Sequence, residues 1–235
     1  MYSSRSIWPL LAVMCVIASC AKPMRPPPPA ERIPEPEAID TRGADIYSVS
    51  SQASQLHILV YRGGKLARLG HNHVVSSNAV DGRVWLHPQF DRSGFELNIP
   101  VQSLIVDDPS AREAEGEEFP PGISQKDVEG TRRNMLRPEV LDAERYPTLA
   151  MRSARIAGTL DAPTITARIT IKDVARELEV PAQIALNGST LTVSGAFDLL
   201  QTDFGMKPFS IALGALEVQD RLYLKFKIVA HRAKR

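Results

Sequence analysis

The chain has few cysteines and no excess of either charge, and each shortage excludes a class of protein. Among its 235 residues only Cys15 and Cys20 are cysteines, too few for a network of disulfides to hold the fold. Its 28 basic and 27 acidic residues leave a formal net charge of +1, which provides no basic surplus for nucleic acid. We therefore expect a fold that depends on its hydrophobic core and has no nucleic-acid partner.

Catalytic sequence motifs are missing as well. The chain contains no G-x-S-x-G, no H-E-x-x-H and no glycine-rich phosphate loop. The tripeptide Asp-Phe-Gly at 203–205 matches the magnesium-binding motif of protein kinases, but the other kinase motifs are absent. Acidic pairs at 107–108 and 117–118 lie in a polar stretch where solvated side chains are the default. We therefore predict a protein that is not an enzyme, with no catalytic residue, no bound metal and no cofactor.

A long apolar run lies near the N-terminus, at residues 7–18, and small residues follow it up to Cys20. The run is shorter than the helix of about 20 residues that spans a bilayer. This arrangement is typical of a lipoprotein export signal, so we predict a signal peptide in residues 1–19 and lipid attachment at Cys20; an ordinary signal peptide is the alternative. Because residues 21–22 lack the aspartate typical of inner-membrane retention, we expect a lipid-anchored, periplasm-facing protein of a bacterial cell envelope, at the outer membrane rather than the inner one.

Residues 20–45 are rich in proline and in charged side chains, and they predict an extended tether. The prolines occur at positions 23, 26, 27, 28, 29, 34 and 36. Polyproline geometry advances about 3.1 Å per residue, so such a segment can hold a domain tens of ångströms from a membrane surface. A peptide ligand for a proline-recognising partner is the alternative. The rest of the chain, residues 46–232, is long enough to form one domain with its own core.

Beyond the tether, apolar residues recur at every second position, as in strands with one buried face. In residues 166–172 aliphatic side chains alternate with polar ones. Two further runs of this kind, 178–186 and 191–199, flank the turn sequence Asn-Gly at 187–188, which predicts a hairpin. On the order of eight such strands form either an antiparallel barrel or a sandwich, and the alternation alone does not choose between them.

Two segments depart from this alternation. Ser124 followed by Asp127 is typical of a helix N-terminus, so we predict a helix over residues 125–136. The segment 107–122 contains six acidic residues, one arginine and three prolines, and we predict an exposed, mobile acidic loop there. A calcium site in this segment is the alternative, although the alternating acidic series of a calcium loop is absent.

Eight short motifs follow one another in a characteristic order between residues 45 and 231. They are Tyr47-Ser48-Val49, LARLGHNHVV at 66–75, Gly82-Arg83-Val84, Arg133-Asn134-Met135-Leu136, Leu141-Asp142, Tyr146-Pro147-Thr148, TIKDV at 170–174 and TDFGM at 202–206. This ordered set resembles the YceI-like family of lipid- and polyisoprenoid-binding proteins. The resemblance implies an all-β fold, an antiparallel lipocalin-like β-barrel of about eight strands with one or two short helices in a long inter-strand connection. It also implies a long internal tunnel that holds a polyisoprenoid or another long-chain amphiphile, for carriage, storage or protection in the cell envelope.

The sequence departs from the family pattern in two places, which indicates a divergent member. Many members have Arg-Asp-x-His-Leu where this chain has Arg-Asn-Met-Leu at 133–136, and a simpler His-Leu-Gly where this chain has Gly-His-Asn-His at 70–73. For polar contacts to a ligand head group we predict four residues: His71, His73, Arg133 and Asp203. For the apolar tunnel wall we predict Ile58, Val60, Leu97, Ile99, Ile169, Ile171, Val193, Phe197, Leu224 and Phe226.

Other roles remain open from the sequence. His71 and His73 are also compatible with a structural or turn-capping role, or with a metal site, although two histidines are too few for zinc without further ligands. A metal-dependent envelope enzyme that uses this pair is therefore one alternative function. A structural lipoprotein that scaffolds an envelope complex is another, and the sequence also leaves a homodimer open.

Overall fold

The computed structural model describes residues 40–233. The predicted signal peptide, Cys20 and all but the end of the predicted tether lie outside these residues. Two α-helices occur in the described part, α1 (Pro109–Glu115) and α2 (Gln125–Leu136). Neither helix within residues 40–233 has the length and apolar character needed to cross a bilayer.

Thirteen strands between residues 40 and 233 pair antiparallel in one sheet. They are β1 (Asp45–Val49), β2 (Gln55–Gly63), β3 (His73–Ser77), β4 (Asp81–Leu86), β5 (Gly94–Pro100), β6 (Ile105–Val106), β7 (Thr148–Gly158), β8 (Pro163–Ile171), β9 (Val174–Glu179), β10 (Ala182–Asn187), β11 (Thr190–Leu200), β12 (Ser210–Ile211) and β13 (Leu216–Arg232). The predicted hairpin is confirmed, because β10 and β11 pair directly and Gly188 takes the positive φ of +60° that this turn requires.

Strand β13 organises the sheet. One of its edges pairs with β2 along residues 217–227 and with β1 along residues 230–232, so β1 and β2 lie end to end on that edge. Its other edge pairs with β11 and, at the start of the strand, with β12. From β1 the sheet continues through β4, β5, β7 and β8 to β9, and from β2 it continues through β3 to β6.

The sheet curls around an interior, and β9 and β10 complete the circle. Only Val180 and Pro181 separate these two strands; β9 pairs with β8, β10 pairs with β11, and the Val180 amide donates to the Ile165 carbonyl of β8. The ladder is therefore interrupted at this seam. If β1 with β2, β3 with β4, β5 with β6 and β9 with β10 are each counted as one broken strand, and the two-residue strand β12 is left out, eight strands surround the interior. This confirms the predicted antiparallel barrel.

The strands form because apolar side chains recur at alternate positions. In β8 the inward residues Ile165, Ala167, Ile169 and Ile171 are buried, while the side chains between them are half-buried. The largest hydrophobic cluster lies inside the barrel, where the inner faces of the strands meet.

Helix α2 begins where the sequence predicts. The Ser124 hydroxyl accepts a hydrogen bond from the Asp127 amide at 3.2 Å and donates to the Asp127 carboxylate at 2.7 Å. These two bonds satisfy an amide that has no partner within the helix and fix the first turn. The helix covers one end of the barrel, where Arg132 donates to the Gln102 carbonyl at 2.8 Å.

The prediction of an exposed, mobile loop over residues 107–122 was wrong. Phe119 is 1% exposed and packs with Ala111 of α1 against Leu59 and Val74, which face outward from β2 and β3. The segment therefore lies as a strap across the outside of the barrel. We call residues 107–120 the outer strap. Its acidic residues suggested full solvation, but Phe119 and Ala111 supply a small core of their own.

A buried ion pair holds the outer strap in place. The Arg112 guanidinium donates to the Asp107 carboxylate, and the two side chains are 3% and 0% exposed. Arg112 also donates to the Asn72 carbonyl at 2.8 Å and to the Pro120 carbonyl at 2.7 Å, so both ends of the strap converge on one side chain. The Glu115 carboxylate adds a second fastening, with His57 Nδ1 and Lys225 Nζ each 2.7 Å from it.

Replacing Arg112 by methionine is expected to destabilise the protein severely. The substitution leaves the Asp107 carboxylate buried without its cation, which costs about 3–5 kcal/mol in such pairs. Chemical denaturation followed by circular dichroism would measure the loss. The matched control is Arg42→Met, which removes an Arg–Asp pair that lies in solvent, with side chains 90% and 43% exposed. Similar losses in both variants would show that the buried pair is not specially stabilising.

Candidate functional site

The barrel encloses a cavity of about 330 Å³ whose wall is mostly apolar. This volume lies within the range of small-molecule pockets in proteins. Nine of the ten predicted wall residues line it: Ile58, Val60, Leu97, Ile99, Ile171, Val193, Phe197, Leu224 and Phe226. They come from five strands, so the cavity is a product of the barrel as a whole.

Ile169 is the tenth predicted wall residue, and it does not line the cavity. It points inward on β8 as expected and is 5% exposed, but it is packed within the hydrophobic core. Its strand neighbour Ile171 does line the cavity. Alternation therefore predicts the inward face correctly, but it does not tell which inward side chains face empty space.

The polar residues of the wall gather at one end of the cavity. They are Arg62, His71, His73, Thr131, Asn134, Gln201 and Glu217, which we call the polar mouth. The antiparallel registers bring the end of β2, the start of β3, the end of β11 and the start of β13 to this end, and α2 lies beside them. Apart from Ser93 and the indole of Trp85, the rest of the described wall is apolar.

His73 is held firmly in the polar mouth. Its Nδ1 lies 2.6 Å from the Asp107 carboxylate, and its Nε2 lies 3.5 Å from the Thr131 hydroxyl of α2. The same Asp107 carboxylate accepts from the Val74 amide at 3.0 Å and from Arg112. Asp107 thus orients the ring so that Nε2 faces the cavity, as carboxylates orient ligand-binding imidazoles in other proteins.

Asp107 carries two costs that its partners offset. Its φ of +55° is unusual for a residue with a side chain, and such positions cluster at functional sites. Burial raises the pKa of its carboxyl, but hydrogen bonds from His73, the Val74 amide and Arg112 outweigh burial and hold the pKa below the usual range. Because the folded pKa is lowered, this carboxylate stabilises the fold above the unfolded pKa of about 4, and the contribution is lost as the pH falls through the folded pKa.

His71 joins His73 at the polar mouth, as the sequence predicts. It is exposed, it lines the cavity, and its ring meets that of His73 edge to face with 6.3 Å between centroids. Within residues 40–233 no group of three or more histidine, cysteine, aspartate or glutamate side chains is placed to hold a metal ion. The geometry therefore gives the metal alternative for this pair no third ligand, and the same holds for the calcium alternative in the outer strap.

Arg133 and Asp203 do not lie at the cavity, contrary to the prediction. Arg133 is exposed on α2, where Thr131 and Asn134 occupy the inward face instead. Asp203 is exposed on the turn after β11, and no hydrogen bond joins it to Arg133. Nearby residues line the cavity instead, Asn134 beside Arg133 and Gln201 beside Asp203. Each residue along a helix rotates the side chain by about 100°, so a neighbour points in a different direction.

Five residues of the polar mouth were missed by the sequence analysis. Thr131 carried a usable signal, since it lies on the inward face of the predicted helix. Gln201 is buried and donates to the Gln219 carbonyl at 2.9 Å, while Arg62 donates to the Gly70 carbonyl at 2.5 Å. Arg62, Gln201 and Glu217 lie at strand ends, where alternation carries no information about what the ends meet.

The chain is similar to a known family and to several solved structures. Residues 47–230 match the profile described as a YceI-like domain. The crystal structure of BcnA from Burkholderia cenocepacia is similar, with a TM-score of 0.57 and 20% identity over 77% of this chain and 99% of that chain. The structure of a polyisoprenoid binding domain from Saccharophagus degradans, implicated in plant cell wall breakdown, is also similar. Its TM-score is 0.49 and its sequence identity is 11%, over 80% of this chain and 98% of that chain. The crystal structure of a Campylobacter jejuni YceI protein has a TM-score of 0.47 and a sequence identity of 13%, over 66% of this chain and 82% of that chain. No curated protein sequence matches the chain.

Proposed function

Because the chain belongs to the YceI-like family, we propose that it binds a long-chain isoprenoid or a related lipid inside its barrel. The observation that carries this proposal is the cavity, which is apolar along its length and polar at one end. An amphiphile has the same division. Its tail gains about 25 cal/mol for each Å² of apolar surface removed from water, and its head group meets hydrogen-bonding side chains at the polar mouth.

The proposed role is binding rather than catalysis. His73 presents one ring nitrogen to the cavity while its other nitrogen is engaged by Asp107, so the ring is suited to a hydrogen bond with a head group. Arg62 and Glu217 carry opposite charges at the same end. A ligand held this way would be sheltered from water, which suits carriage, storage or protection of a lipid in the cell envelope.

Organic extraction followed by mass spectrometry tests the proposal directly, and occlusion of the cavity sharpens the test. Leu97→Trp places a larger side chain in the wall of β5 and is expected to lower affinity for the lipid by about fivefold to 100-fold, since overpacking costs about 1–3 kcal/mol. The control is Asn98→Trp, which adds the same side chain to the exposed face of the same strand. Equal lipid content in both variants, or no lipid in the unaltered protein after exposure to envelope lipids, would contradict the proposal.

A double substitution, His71→Ala with His73→Ala, tests the head-group contacts. Each net hydrogen bond is worth about 0.5–1.5 kcal/mol, so affinity is expected to fall about two- to tenfold for each ring that contacts the ligand. Equilibrium binding of a fluorescent polyisoprenoid analogue would measure the change. His87→Ala is the control, because His87 lies outside the cavity and contacts Gln89 of its own loop. Thermal unfolding must first establish that the double variant is folded; unchanged affinity in the folded variant would remove both rings from the site.

We further propose that the protein is attached to a membrane through a lipid on Cys20, a residue outside the described part of the chain. The support is the sequence pattern before this cysteine and the proline-rich segment after it. Metabolic labelling with a fatty acid should mark the protein, and Cys20→Ala should abolish the label. Cys15→Ala is the control and should keep it. Fractionation of the labelled envelope would then test the proposed outer-membrane location; label that persists in Cys20→Ala would refute the attachment site.

A further inference from the structure

Two loops form the rim of the cavity at its polar end. The first, residues 64–72, joins β2 to β3, and the second, residues 205–215, leads into β13 and contains β12. Gly70 and His71 of the first loop and Met206 and Phe209 of the second line the cavity. We call these segments the rim loops.

The rim loops are packed tightly against each other. The Leu66 amide donates to the Ala215 carbonyl at 2.7 Å. Gly64 has a φ of +84°, and a Cβ at this position would lie 2.5 Å from the carbonyl oxygens of Gly214 and Ala215. Only glycine fits this approach, so the two loops present one continuous surface.

This surface is apolar and basic. Its exposed apolar side chains are Leu66 (37%), Leu69 (61%), Ile211 (47%) and Leu213 (108%). The exposed basic side chains among them are Lys65, Arg68 and Lys207, and none forms an ion pair with the described residues. The rim loops contain no acidic residue at all. We call these seven side chains the rim patch.

The backbone at the tip of the second rim loop is strained. Ala212 and Leu213 have φ values of +50° and +56°, in a region that residues other than glycine rarely occupy. The conformation aims an aliphatic side chain entirely into solvent. Both features are unfavourable in water, and both would be offset if Leu213 entered an apolar medium.

We propose that the rim patch docks the barrel on an anionic lipid bilayer, with Leu213 inserted among the acyl chains. Aliphatic side chains interspersed with basic ones, without acids, suit the interface of such a bilayer, where each lysine or arginine gains about fivefold in affinity. A second copy of the chain fits poorly, because a two-fold contact would bring three cations against three cations. Docking here puts the polar mouth at the lipid surface. The inference rests on the proposed function only for its purpose, which is to let lipid pass between bilayer and cavity without crossing water.

Depth-dependent quenching tests docking on the full chain reconstituted into vesicles of phosphatidylethanolamine and phosphatidylglycerol with brominated acyl chains. Leu213→Trp adds a fluorophore at the tip, and the unaltered protein supplies the background. Emission from the tryptophan added at position 213 should be quenched strongly by the brominated chains. The quenching should be weaker at high salt, which screens the basic residues. The matched control is Leu186→Trp, a 36% exposed leucine beside the turn at the opposite end of the barrel. Equal quenching at the two positions, or none at position 213, would overturn the proposal.

A charge series supplies the second arm. Changing Lys65, Arg68 and Lys207 to glutamine in the Leu213→Trp protein should weaken docking about fivefold per charge on anionic vesicles and leave it unchanged on neutral ones. Lys227→Gln, on the exposed face of the barrel wall, is the control. Organic extraction of the same purified proteins before they are added to vesicles reports bound lipid separately. Quenching at position 213 without extractable lipid would support docking and refute lipid binding in the cavity. Extractable lipid without quenching would support lipid binding and refute docking.

Discussion

The fold depends on the backbone hydrogen bonds of one strand. Strand β13 is seventeen residues long and pairs with β1, β2, β11 and β12, so both sides of the barrel are fastened to it. Each of these neighbours would otherwise present unpaired amides and carbonyls, which is costly away from water. Its start contributes Leu216 and Glu217 to the cavity, and Leu224, Phe226 and other inward residues follow along the wall. The strand that holds the sheet together therefore also runs along the cavity, from its polar end to its apolar part.

The apolar interior is not filled by its own side chains, and this sets the protein apart from an ordinary packed barrel. Empty apolar volume costs on the order of 24 cal/mol per Å³ relative to a packed core, so the fold gives up stability along its axis. It recovers stability elsewhere, through strand pairing around most of the barrel and through the outer strap, where Phe119 and Arg112 are almost fully buried. The interactions that stabilise the fold thus lie in the barrel wall and on its outer surface, and the interior remains available to a ligand.

Much of the fold could be read from the sequence, because alternation and capping are local signals. The antiparallel strands, the hairpin at 187–188 and the start of α2 at Ser124 follow from neighbouring residues alone, and the inward faces were predicted well enough to find most of the wall. The outer strap could not be predicted, because its many acidic residues indicate solvation and a single buried phenylalanine, Phe119, produces no periodic apolar pattern. Arg133 and Asp203 were misplaced because motif resemblance specifies a neighbourhood, whereas helix and turn geometry decide which neighbour points inward. The rest of the polar mouth is assembled from strand ends distant in sequence, and no local pattern reports that they meet.

Asp107 gives the protein a mechanical link between its two surfaces. Its carboxylate holds Arg112, which anchors the outer strap on the outside of the barrel, and it holds His73, whose ring reaches the interior. The strap and the imidazole therefore share one hydrogen-bond acceptor. A contact on the outer surface that shifted the strap would act on the same carboxylate that sets the direction of a ring inside the barrel.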